Sequence, residues 1–197
     1  VSKPVGATVI SRLVGQRKLR WTDPIRRHLP WFALANRFAS RNVTLADMYA
    51  HRSGLPDHAG DLLEDLGFRR RQVLRRLRFM PLAPFRANYA YTNFGLTAAG
   101  EAAARSQRKS WARLSRDLLY RPLGMSSTSS LFSDFERRPN RAHGHVRVGD
   151  KWVAARQTRQ TDAQQRHIAA LTEPMAVAVH AVSKSGIGAG DAAIVLG

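Results

Sequence analysis

With 197 residues, 44% of them hydrophobic, the chain can bury a core of its own, which excludes disordered and collagen-like classes. It contains no cysteine, which excludes disulfides, thiolate metal sites and cysteine nucleophiles. The formal net charge is +18, and all but five of the 32 basic residues are arginine, a balance common in proteins that bind nucleic acid or anionic surfaces. No segment approaches the roughly 18 consecutive apolar residues of a membrane span. The opening VSKPVGATVI lacks the charged and apolar regions of a secretory signal.

In chain order, Val5, Val9, Leu13 and Val14 recur at helical spacing and predict a helix over residues 4–19, with Pro4 tolerated in its first turn. Pro24 and Pro30 bracket a short segment, followed by an extended or looped stretch to Asn42. Thr44 with Asp47 three residues on marks a helix start, and Gly54-Leu55-Pro56 marks its end. From Phe68 to Met80, Val73, Leu74, Leu77 and Met80 share one side of a helix, with six arginines around the rest. We read those arginines as a solvated face rather than a phosphate-binding stripe, since no aromatic is interleaved to stack a base. Amphipathic helices follow from Asn93 through Leu96, Ala99, Ala102 and Ala103, and from Trp111 to Tyr120. Residues 142–154 alternate around Gly149-Asp150, as a hairpin does. After about Gln157 the composition shifts to glutamine and threonine and then to small apolar residues, so 157–197 reads as an atypical tail, frameshifted or poorly ordered.

Several segments invite a chemical reading. His143 and His145 flank Gly144, but no third ligand is spaced to complete a metal site. Gly186, Gly188, Gly190 and Ala193 fit a dinucleotide fingerprint in outline, yet too few residues follow for its helix and ribose ligand. Tyr91-Thr92-Asn93 lies between a proline-punctuated loop and a helix. Lys3 stands at a helix start, where the N-terminus already carries partial positive charge, an awkward place for a cation and a suggestive one for a proton acceptor.

Taken together, four of these landmarks resemble the serine β-lactamase and penicillin-binding-protein group, specifically class C β-lactamase-like hydrolases and esterases. Val1-Ser2-Lys3-Pro4 resembles the segment after the family's nucleophile in its Ser-x-x-Lys motif. Leu45 to Pro56, ending His51-Arg52-Ser53-Gly54-Leu55-Pro56, is similar to the family's His-x-Ser-Gly-Leu-Pro segment. Tyr91-Thr92-Asn93-Phe94-Gly95 resembles its Tyr-Ser-Asn-x-Gly motif, and Pro122-Leu123-Gly124-Met125 its Pro-Leu-Gly-Met stretch.

The resemblance implies an α/β (α+β) β-lactamase/transpeptidase-like fold, of which this chain holds a fragment dominated by the helical region. Residues 1–156 are expected to form a partial hydrolase domain. The implied reaction is acyl-enzyme hydrolysis of a β-lactam, an ester or a D-Ala peptide, on a small-molecule or peptide acyl substrate, without cofactor or metal and from an exported or periplasmic parent. Lys3 would take the proton of the nucleophilic serine, Tyr91 would share it and pass it to the leaving group, and Asn93 would orient the substrate and hydrogen-bond Lys3. That serine would sit immediately before Val1. Ser2, adjacent to Lys3, points about 100° away on a helix, so the chain as written is expected to be inactive. Lys184-Ser185-Gly186 matches the family's third motif in letters but lacks its strand context. His51 and Ser53 are expected to pack beneath the site without catalytic roles. The alternative reading is a basic module that binds nucleic acid or an anionic surface.

Overall fold

The computed structural model describes residues 2–141 and 145–154. His143, the tail 157–197, the Gly186–Gly190 cluster and Lys184-Ser185-Gly186 therefore lie outside the described residues. Helix α1 (Ser2–Gly15) buries Val9, Ile10 and Leu13. It stops four residues before the expected Leu19. Arg17 adopts a left-handed conformation (φ 58), and the Lys18 N–H donates back to the Leu13 carbonyl, a hydrogen-bonded C-cap that ends the helix.

Short helices α2 (Ile25–His28), α3 (Arg37–Asn42) and α4 (Leu45–Tyr49) follow. The stretch to Asn42 is thus partly helical rather than extended. The Asn36 side chain caps α3 by accepting from Ala39 N–H, and Ser40 Oγ ties the turn to Leu34. The N-terminus of α4 is the expected one: Thr44 accepts from Asp47 N–H while Asp47 reaches back to Thr44 N–H. Helices α5 (Asp61–Asp65) and α6 (Arg70–Arg76) lead into a 3-10 turn over Leu77–Phe79.

The centre of the molecule is α7 (Asn93–Ser106), which packs against α1, α2, α4, α6 and α8 (Trp111–Ser115). The sequence reads it as one-sided, but Phe94 to Gly100 and Ala102 to Ala104 are all buried. Alanine and glycine make this possible: they favour or tolerate helix and leave room for neighbours on every side. Helix α8 continues into a π-helical turn over Arg116–Tyr120, and α9 (Phe132–Arg137) follows. Strands β1 (His145–Val148) and β2 (Lys151–Ala154) pair antiparallel, with Val148 opposite Lys151 across the Gly149-Asp150 turn. Among the described residues this exposed hairpin is the whole sheet, and no helix is long and apolar enough to cross a membrane.

Tertiary packing adds partners to the α6 arginines, of which Arg71 and Arg75 remain exposed as expected. Trp31, from a distant loop, receives the guanidinium groups of Arg71 and Arg75 on its ring, at 5.3 and 5.7 Å from the centroid. Arg76 lies over Phe68, and Arg70 pairs with Glu101 on α7. An aromatic does stand among these arginines, supplied from forty residues upstream in the chain. Several of the charges have partners within the protein.

The seat of α1 is set by Gly6, where an added Cβ would lie 2.7 Å from the Tyr49 hydroxyl oxygen and 3.7 Å from Tyr49 Cζ. Gly6→Ala gains about 1 kcal/mol of helix propensity but overpacks this contact, a loss of about 1–3 kcal/mol. We expect a net loss of stability in urea unfolding. In a Tyr49→Phe background, which removes only the clashing oxygen, the same substitution should become neutral or stabilising. Equal effects in both backgrounds would show that α1 does not seat on Tyr49.

Candidate active site

Two loops form the floor of the site, and one carboxylate joins them. Asp47 on α4 has a side chain that is 1% exposed, and Arg86, in the loop before α7, grips it through Nε at 2.9 Å and Nη2 at 2.8 Å. Arg52 adds a third contact at 3.1 Å, and Thr44 donates through its N–H and its hydroxyl. Burial opposes ionisation of Asp47, but the hydrogen bonds from Arg86 and Thr44 outweigh it and hold the carboxyl below its ordinary value.

From this anchor the loops run side by side. Arg86 N–H donates to the Arg52 carbonyl, Ala83 N–H to Gly54, Ala90 N–H to His51, and His58 N–H to Tyr91. Gly54 is required here, since at φ 87 an added Cβ would sit 2.8 Å from the Ala83 carbonyl. His51, also left-handed at φ 53, turns its ring inward, where Nδ1 accepts from Thr92 N–H at 3.0 Å.

Tyr91 is consequently surrounded. His51 stacks on it with centroids 4.8 Å apart and planes 26° from parallel, and His58 tilts against it at 5.5 Å. Lys3, from the first turn of α1, places Nζ 4.9 Å from the Tyr91 ring centroid. The structure therefore brings Lys3 and Tyr91 together, though the ammonium meets the face of the ring. Tyr89, 71% exposed, stands edge-on to His51.

Asn93 begins α7 beside them, but its partner differs from the expected one. Its Nδ2 donates to Asp61 Oδ2 at 3.1 Å, and no hydrogen bond to Lys3 forms. The reason is α5, which the sequence reading did not find and which brings Asp61 across from Asn93. Asp61 Oδ2 also meets His58 Nδ1 at 2.9 Å. The i, i+3 spacing of His58 and Asp61 was the available signal for this pair. Nothing local announced that Arg86 would reach Asp47, 39 residues away. Ser53 is buried and accepts from Leu55 N–H within its own turn. Among the described residues no group of three or more histidine, aspartate or glutamate side chains is gathered to hold a metal ion.

The two histidines are displaced in opposite directions. Burial and then the Lys3 charge push His51 below its ordinary value, with Asp57 pulling the other way. The hydrogen bond to Asp61 raises His58, against desolvation and with help from the charges of Asp57 and Asp61. Because Nδ1 of His51 is an acceptor, its ring proton belongs on Nε2.

In outline, a lysine at a helix start faces a tyrosine just before the next long helix. The chain belongs to the beta-lactamase family, whose family model matches residues 1–193. It is 30% identical over 136 residues to an unguisins hydrolase of Aspergillus campestris, an alignment covering 64% of this chain and 26% of that protein. Among solved structures it resembles the octameric penicillin-binding protein homologue of Pyrococcus abyssi, with a TM-score of 0.65 and 18% identity over 78% of this chain and 37% of that one. It also resembles a class C beta-lactamase of Rhodobacter sphaeroides, with a TM-score of 0.61 and 21% identity over 84% of this chain and 44% of that one. EstCE1, a hydrolase with promiscuous acyltransferase activity, gives a TM-score of 0.64 at 20% identity, over 79% of this chain and 44% of that one. The fold is thus the β-lactamase/transpeptidase-like one, and the chain spans about a quarter of its fungal relative and less than half of these structures.

Two predictions follow from the floor of the site. Asp47→Ala leaves Arg86 and Arg52, both about half exposed, to be solvated and should lower stability by about 1.5–3 kcal/mol; Arg86→Ala leaves the Asp47 carboxylate buried without its bidentate partner and should lower it by about 3–5 kcal/mol, both read by urea unfolding. The Asp47 contribution is fully present above the carboxyl's ordinary value of 3.8 and is lost as pH falls through its lower folded value.

For His51 the folded value lies below 6.5, so the unfolded chain takes up the proton first and this residue favours unfolding as pH falls below 6.5. His58, raised above 6.5, contributes stability below that pH which is lost as pH rises through its folded value. Histidine NMR titrations should show His51 with Nε2–H and a midpoint below that of His58. The reverse order would mean that His51 is not buried beside Lys3 or that His58 does not pair with Asp61, and a proton on Nδ1 of His51 would mean that it does not accept from Thr92.

Proposed function

We propose that this chain carries the proton-handling half of the active site of a β-lactamase-family serine hydrolase that cleaves acyl compounds through an acyl-enzyme. The observation that carries the proposal is the contact of Lys3 with Tyr91, made by residues 88 positions apart in sequence and seated where two helices begin. In the longer protein, the hydroxyl of a serine immediately before Val1 attacks the substrate carbonyl. Its proton passes to the Lys3–Tyr91 pair and from there to the leaving amine or alcohol, and the carbonyl oxygen is held by backbone N–H groups. Water then attacks the ester so formed, the pair takes a proton from that water and returns it to the serine oxygen as the acyl–oxygen bond breaks, and the acid and the free serine are released. Neutral His51 supports this role by buttressing Tyr91 without competing for the proton at Nδ1. Asn93, with Nδ2 committed to Asp61, offers its Oδ1 to a substrate N–H.

Substrates in keeping with this chemistry are β-lactams, esters and D-alanyl peptides, to which the fungal relative adds unguisins. The test uses the longer protein with that serine in place, assayed with nitrocefin, a short-chain nitrophenyl ester, a D-Ala-D-Ala peptide and an unguisin. One of these should be turned over, and Lys3→Ala and Tyr91→Phe should each lower kcat/KM by roughly 10²–10⁴-fold while leaving the melting transition in place. Undiminished turnover in both variants would overturn the proposal.

A further inference from the structure

We infer that Asp61 is a positioning residue, the clamp that fixes both Tyr91 and Asn93 through one carboxylate oxygen. This rests on the reading of Lys3 and Tyr91 as the proton-handling pair, and it assigns a task to a residue outside the motifs that carry the family likeness.

The geometry is a closed bracket around Tyr91-Thr92. On one side Asp61 Oδ2 meets His58 Nδ1 at 2.9 Å, while His58 N–H donates to the Tyr91 carbonyl at 2.7 Å and its ring lies against Tyr91. On the other side the same oxygen accepts from Asn93 Nδ2 at 3.1 Å. His58 and Asn93, which flank the tyrosine in space, are therefore linked by a single atom. The other oxygen, Oδ1, is buried and meets no donor among the described residues. The carboxylate thus depends on the two Oδ2 contacts, since a buried acceptor left without donors is costly.

The backbone supports the same assignment. Gly60, just before Asp61, has φ 96, and an added Cβ there would lie 2.8 Å from Val73 Cγ1 and 3.0 Å from the Phe94 ring. Asp61 is therefore set down directly against the first turn of α7, one residue from Asn93. His58 itself is left-handed at φ 55, a conformation that helps bring its N–H and ring to the same neighbour. The charged groups that face His58 are Asp61 and, at 3.8 Å from Nε2, Asp57; Lys3 contacts the Tyr91 ring.

Asp61→Ala removes the shared acceptor itself, at a side chain 26% exposed where little packing is lost. In the 197-residue chain, NMR should show the His58 midpoint falling toward its ordinary 6.5, with the Asn93 side-chain amide and the Tyr91 ring signals shifting while core methyl signals of α1 and α8 stay in place. His58→Gln, at a side chain 60% exposed, breaks only one arm and should move Tyr91 while leaving the Asn93 amide nearer its original position. In the longer protein, Asp61→Ala should lower kcat about tenfold or more with KM changed less than about twofold. Unmoved Tyr91 and Asn93 signals in Asp61→Ala would overturn the inference, as would unfolding of Asp61→Ala combined with an unmoved Tyr91 in His58→Gln. If the signals move but Tyr91→Phe retains full turnover, the clamp stands and the functional reading falls.

Discussion

A buried carboxylate with a bidentate arginine partner holds the loops around Tyr91 in place. Asp47 lies at the start of α4, where a capping aspartate is an ordinary local device, but its side chain also serves as the floor onto which the loop before α7 is fastened. Taking a carboxylate out of water is expensive, and the expense is offset only when its lone pairs are met. Here they are met by Thr44, Arg52 and Arg86. Once Arg86 is docked, with its own backbone in the left-handed region at φ 64, the backbone N–H groups of Ala83, Arg86 and Ala90 fall opposite the carbonyls of the preceding turn. Tyr91 is delivered at the end of that ladder.

The surroundings of Tyr91 show how a polar site is kept ordered without a metal-ligand cluster among the described residues. Its identified neighbours His51, His58 and Lys3 are two rings and a cation on its ring face, so they constrain its plane, while the hydrogen bonds of the loop constrain its backbone. His51 is suited to this because one ring supplies both an acceptor for Thr92 N–H and a flat face for Tyr91. Its low basicity follows from burial and from Lys3, and keeps a second positive charge away from the lysine. The sequence placed His51 beneath the site as packing; the structure adds that this packing orients Tyr91.

Helix α7 provides the rigid base for these loops. Its small side chains admit five helices at close range, so the first turn, which carries Asn93, is held by the core rather than by local propensity alone. Thr92 illustrates the tightness: a Cβ on Gly95 would run into Thr92 Oγ1 and lie 3.5 Å from Met48 sulfur, tying the motif's glycine to α4. The arginines of α6 lie away from this centre. Their stacking on Trp31 and Phe68 and the ion pair of Arg70 with Glu101 make part of the large positive charge a feature of packing.

The sequence by itself determined what depends on near neighbours. The α1 stripe, the Thr44–Asp47 capping box, the buried face of Val73, Leu74 and Leu77, the Gly149-Asp150 hairpin and the order of the motif residues could all be read because caps, periodicity and turns are short-range properties. The four landmarks together also indicated the family. Only the tertiary structure decided which distant groups meet. Arg86 reaches Asp47, Trp31 lies under Arg71 and Arg75, Asp61 rather than Lys3 takes the Asn93 amide, and α7 is buried on all sides. Each of these joins residues twenty or more positions apart, or depends on how many neighbours surround one helix, and no local pattern encodes either. The physical reason is that a side chain's partner is chosen by the packing of whole elements, which satisfies buried charges and fills space collectively.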